Sequence, residues 1–134
     1  MERGSSNDEW LVISGMRSVV EEKSIAFAHR IMDCTDYIMA KHKKYSLCDQ
    51  LFRSGTSIGA NIAEAQYAQS SADFISKMSI SQKECSETGY WLELAYYGKY
   101  IDEKMYNSMM ADNTEIMKLL TSIITTSKKN NSGK

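Results

Sequence analysis

The chain has 134 residues, 43% hydrophobic and 25% charged, which is one globular domain's worth of chain with enough apolar material for a core. Its formal net charge of −1 gives no global pull toward nucleic acid or an anionic membrane surface, so such binding would need a local patch. Proline is absent and glycines number seven, so little interrupts long helices and an all-α fold is expected.

The first ten residues, MERGSSNDEW, carry Glu2, Arg3, Asp8 and Glu9 and lack the apolar run of a leader peptide. Nowhere do about 18 apolar residues follow one another, so no membrane span is expected. Cys34, Cys48 and Cys85 are odd in number, far apart and set in apolar helical patterns, as reduced core thiols would be. A cytoplasmic location fits them. Residues 1–16 read as a partly ordered tail.

From about residue 17 to 43, Val20, Ser24, Phe27, Ile31, Cys34 and Ile38 step by alternating fours and threes, one stripe of a first helix. Ser46 with Asp49 is a capping-box-like start for a second, about 46–67, on Leu47, Leu51, Ser54, Ile58, Asn61 or Ile62, and Ala65. Ser70 with Asp73 opens a third, about 70–97, on Phe74, Met78, Ser81, Cys85, Thr88, Leu92 and Ala95. Gly98 is placed to end it at positive φ, and Asp102 to cap a fourth, about 102–126, on Met105, Met109, Ile116, Leu120 and Ile123. Residues 127–134 have nothing to bury and are expected to be disordered. Four such helices with short joints pack most simply as an antiparallel up-down-up-down four-helix bundle.

The second helix contains RSGTSIGANIAEAQ, Arg53 to Gln66, whose glycines suggest a phosphate-binding loop. A P-loop needs a lysine and a preceding strand, and both are missing here. From Ser46 to Gln66 only Asp49, Arg53 and Glu64 are charged, and a helix this poor in charge is normally covered on more than one side. The second side reads as an oligomer interface, where Gly55, Gly59, Ala60 and Ala63 let another backbone approach and Phe52 supplies an anchor. The plainer alternative is tight packing inside one monomer.

Arg53-Ser54-Gly55-Thr56-Ser57-Ile58-Gly59-Ala60-Asn61, Glu64-Ala65, Asp73-Phe74, Lys77, Lys83-Glu84, Glu87-Thr88 and Tyr90-Trp91-Leu92 follow one another over the second and third helices. In this wording the chain closely resembles the bacterial four-helix-bundle proteins called the 23S rRNA intervening-sequence protein family. The resemblance implies an antiparallel bundle, assembly as a homopentameric ring and no established molecular activity. Accessory proteins of diversity-generating retroelements share the fold as basic pentameric barrels that hold a reverse transcriptase and nucleic acid, but they lack RSGTSIGAN and ETGYWL. Gln82 stands where an aliphatic would be expected and Gly89 where a larger side chain would, and both are expected to loosen the third helix locally.

Glu64, Glu84 and Glu87 form the one carboxylate group that antiparallel neighbours could gather. Di-iron bundles use Glu-x-x-His pairs, and neither His29 nor His42 stands in one, so no metal, cofactor or catalytic residue is expected. The acids, with Trp91, are expected beside a packed seam, paired with Arg53, Lys77 or Lys83, while Ser57 and Asn61 fix helix register. Asn61→Leu is then expected to change oligomer state with helicity intact. Lys41, Lys43 and Lys44 of the single basic run, with Arg53, are candidates for phosphate contact, the alternative being a solvated helix end. Tyr90, Trp91, Tyr96, Tyr97 and Tyr100 span several faces, so some rings pack inward and others reach a surface. Together these features describe a non-enzymatic, self-assembling helical bundle, a scaffold or interaction module, with a nucleic-acid-binding accessory protein as the alternative.

Overall fold

The computed structural model describes residues 2–132, which form four helices and no strand. These are α1 (Glu2–His42), α2 (Tyr45–Ala65), α3 (Ser71–Tyr97) and α4 (Glu103–Ser132). Each packs mainly against two others, α1 and α3 both lying between α2 and α4. This is the expected all-α four-helix bundle.

The apolar stripes meet at its centre. Val20, Ser24, Phe27, Ile31, Cys34 and Ile38 are all buried, as are Leu51, Ser54, Ile58, Ile62 and Ala65. Of the two candidates at the next-to-last step of α2, Ile62 goes inward and Asn61 stays half-buried. Met78, Ser81, Cys85, Thr88, Leu92 and Ala95 from α3 meet Met109, Ile116, Leu120 and Ile123 from α4. Leu47, Phe74 and Met105, at the starts of their stripes, are half-buried against this core. Hydroxyls inside it bond to backbone: Ser54 Oγ to the Gln50 carbonyl at 2.9 Å, Thr88 Oγ1 to that of Glu84 at 2.8 Å.

Both ends of the chain differ from the expected bounds. α1 begins at Glu2, so the predicted N-terminal tail is helical over its described residues, and α4 runs through 127–132. Met1 and residues 133–134 lie outside the described residues. Leu11 and Val12 are exposed, so core burial is not what makes that turn helical. A helix already nucleated extends at small cost where no proline stops it.

The joints confirm two caps and move two others. Ser70 Oγ accepts the Asp73 N–H at 3.0 Å, and Asp102 Oδ1 accepts that of Met105 at 2.8 Å. Ser46, however, lies inside α2, whose N-cap is Lys44 with no side-chain hydrogen bond; Lys43 turns the chain at φ 57° one residue earlier. Gly98 keeps a helical φ of −76°, and Lys99 takes the left-handed turn at 62°. The Lys99 and Tyr100 N–H groups bond the Tyr96 and Ala95 carbonyls, a Schellman closure. What requires glycine at position 98 is space, since a Cβ there would stand 2.4 Å from the Tyr100 ring.

Candidate assembly face and polar seam

The glycines of α2 face α1 of the same chain. A Cβ at Gly55 would meet the Ile31 side chain at 2.7 Å, and one at Gly59 would meet Ser24 Oγ at 3.2 Å. The expectation that they admit a neighbouring subunit is corrected here: their missing side chains let α1 and α2 close on one another. Gly55 is buried outright.

Beside that contact an uncharged strip remains in the open. On α2 it comprises Phe52, which is 43% exposed, together with Ala60 and Ala63. On α1, Ile25 and Met32 directly follow Ser24 and Ile31, the residues against the glycines, and are 57% and 45% exposed. Seven residues apart, they share one face of α1. Phe52, Ala60 and Ala63 are thus left for the role that Gly55 and Gly59 do not fill.

The opposite flank of α2 is ionic. Arg53 Nη1 donates to both Glu84 carboxylate oxygens at 3.3 and 3.2 Å, and Nη2 reaches Glu87. Glu87 Oε2 also accepts the Trp91 indole N–H at 2.8 Å, and Arg53 Nη2 donates to Gln50 Oε1 at 3.4 Å. Glu64 does not join this group: it pairs with Lys77 at 2.9 Å. That hydrogen bond, and then the Glu64 charge, raise the Lys77 pKa. The predicted pairing with Arg53 and Lys77 therefore holds, while the three acids split into two sites.

Ser57 and Asn61 do not tie α2 to a neighbour. Ser57 Oγ donates to the Arg53 carbonyl at 2.6 Å and Asn61 Nδ2 to that of Ser57 at 2.8 Å, both along their own helix. Beyond the ion pairs, the side-chain bonds that cross between helices come from residues the sequence reading had not given that role. Ser81 Oγ donates to the Ile58 carbonyl at 2.8 Å. Buried Asn113 of α4 donates through Nδ2 to the Cys85 carbonyl at 3.0 Å and accepts the Cys85 thiol on Oδ1 at 3.3 Å. At the far end Arg17 donates to Gln66 Oε1 at 2.6 Å and lies 4.6 Å from the centre of the Phe74 ring. Asn113 had a signal: it stands four residues after Met109 and three before Ile116, in phase with their stripe.

The two departures from the family pattern are absorbed by α4. Gln82 Nε2 donates to Thr121 Oγ1 at 3.0 Å, and a Cβ on Gly89 would meet Asn113 Nδ2 at 3.2 Å. Neither loosens α3.

The thiols are buried and unpaired. Burial pushes Cys85 up to about 12 and Cys34 up to about 11, the latter with a smaller push from Cys48. Cys48 is raised by burial, then by Asp49 and Asp36. Thiols so placed stay protonated and unreactive at neutral pH. Among the described residues no three His, Cys, Asp or Glu side chains come together as metal ligands, and no helix is long and apolar enough to cross a membrane.

Arg53 is paired with Glu84 and Glu87 while its side chain stays 48% exposed. Lys41 turns back to Tyr37 Oη at 3.2 Å. Lys44 lies 5.3 Å from the centre of the Tyr100 ring, and Tyr100 also meets the His42 ring at 5.2 Å. Of the other aromatics, Trp91 is half-buried, Tyr96 stacks on Tyr106 at 4.6 Å, and Tyr90 and Tyr97 are exposed.

Fold and seam together define an antiparallel four-helix bundle whose second and third helices are joined by an Arg–Glu–Trp network. The model of the 23S rRNA-intervening sequence protein family matches residues 16–122, and the chain belongs to that family. A solved structure of a Bacteroides thetaiotaomicron protein with unknown function, from the S23 ribosomal protein family, is similar at 49% identity and a TM-score of 0.81. The match covers 82% of this chain and 98% of that one. No curated protein matches the sequence.

Proposed function

We propose that this protein is a non-enzymatic, self-assembling helical bundle, a scaffold or interaction module built from copies of itself. The observation that carries the reading is the uncharged strip of Ile25, Met32, Phe52, Ala60 and Ala63 left open along α1 and α2. Exposed apolar strips of this kind mark association surfaces. A ring of five is the assembly proposed, the number that the family resemblance implies. A closed ring needs two different surfaces meeting head to tail. The exposed Ile80, Tyr90 and Tyr97 of α3 lie on another helix and offer the second.

Sedimentation velocity tests it. The wild-type protein is expected at several times the 15.2 kDa chain mass, and Phe52→Glu or Ala60→Glu is expected to return it to a monomer with helicity unchanged. Asn61→Leu, whose target carboxamide stays on its own helix, is not the discriminating variant. A wild-type monomer at high concentration would sink the reading.

A further inference from the structure

The α1–α2 and α3–α4 joints lie at one end of the bundle, and between them opens a cleft of about 590 Å³. Its walls include Lys43, Lys44, Tyr45, Gln50, Trp91 and Tyr100, and no acidic residue lines it. We propose that this cleft binds a nucleoside phosphate, with the base against the aromatic walls and the phosphate against the two lysines.

Three observations converge on that chemistry. The volume falls within the roughly 300–1,000 Å³ of small-molecule sites. Neither Lys43 nor Lys44 is in an ion pair among the described residues, so both ammonium groups keep their charge for an anion. No acid stands in the first turn of α2 to oppose a phosphate there. The walls are also held in place. Trp91 is fixed through its indole N–H to Glu87, which Arg53 holds in turn, and Tyr100 is seated by His42 and by the space at Gly98. The same Arg53 places Gln50, another wall residue. A simple anion would leave the rings unused and a neutral aromatic would leave the lysines unused; a base joined to a phosphate uses both.

The source is either a free mononucleotide or a base and phosphate within a single strand. The site does not depend on self-assembly. Isothermal titration of the full-length protein at low salt with 5′-AMP, inorganic phosphate and a ten-nucleotide oligothymidylate tests it. AMP is expected to bind, and phosphate alone at least about tenfold more weakly. Lys44→Glu and Tyr45→Ala, both at exposed positions, are each expected to weaken AMP roughly tenfold without change in circular dichroism, whereas Phe52→Glu leaves it unaltered. An oligonucleotide bound more tightly than AMP identifies a strand as the source; equal or weaker binding identifies the free nucleotide. No binding of AMP, phosphate as tight as AMP, or wild-type affinity in both cleft variants overturns the proposal.

Discussion

Toward α1, helix α2 presents Gly55 and Gly59, and the Ile31 side chain occupies the space where one Cβ would stand. Toward α3 it presents Arg53 and Glu64, which pair with Glu84, Glu87 and Lys77. At Gly55 the first flank is governed by shape and closed to an added atom; the second carries part-exposed charge pairs that can shift and that salt screens. One helix thus joins two neighbours by unlike physics, and substitutions should separate them.

The largest effect is expected at Gly55. Gly55→Ala pushes a methyl into Ile31, an overpacking cost of about 1–3 kcal/mol that the gain in helix propensity of about 1 kcal/mol offsets only in part. Ile31→Ala is itself costly in this core, by about 2–5 kcal/mol, but in that background Gly55→Ala should cost less than in wild type, and a double-mutant cycle in urea measures the coupling. A Gly55→Ala protein as stable as wild type would break the contrast between the flanks.

Alkaline pH should weaken the α1 side, where the buried thiol of Cys34 lies. Its folded-state pKa is about 11 against 9.0 when exposed, so above pH 9 the unfolded chain releases a proton that the folded chain retains. Stability present below pH 9 is therefore lost as pH rises toward 11, by about 1 kcal/mol at pH 10. Cys34→Val should show a flatter stability profile over that interval, and an identical slope would exclude the thiol as its source.

On the other flank, Arg53→Ala should cost about 0.5–1 kcal/mol, because the pair is half-exposed although Glu84 is partly covered. That difference should shrink in high salt, with a change in Trp91 fluorescence as Glu87 loses its partner; a salt-independent loss would mean the flank is held by packing. Gly59→Ala should be the smallest change, within about 0.5 kcal/mol of wild type, since the mild contact with Ser24 offsets the propensity gain. A loss as large as that at Gly55 would show the whole flank to be sterically closed.

Much of this was readable in advance. The fours and threes from Val20 to Ile38 and from Met78 to Ala95 reach the core residue for residue, because helical periodicity is local and the core selects one face. Ser70 and Asp102 were readable as caps because a cap acts within three residues. Gly98 was misjudged for the opposite reason, since its need is set by the ring of Tyr100 folding back over it. Asn113 was passed over because a polar residue in an apolar stripe is buried only when another helix offers partners, here Cys85.

The sequence by itself determined the four helices, their inward faces and the family, since each rests on residue order within a few turns or along a motif. Only the tertiary structure decided that Gly55 and Gly59 serve α1, that Glu64 parts from Glu84 and Glu87, and that Lys43 and Lys44 share a cleft with Trp91 and Tyr100. Those choices depend on which helices become neighbours and at what height they meet, and a helical wheel carries neither quantity.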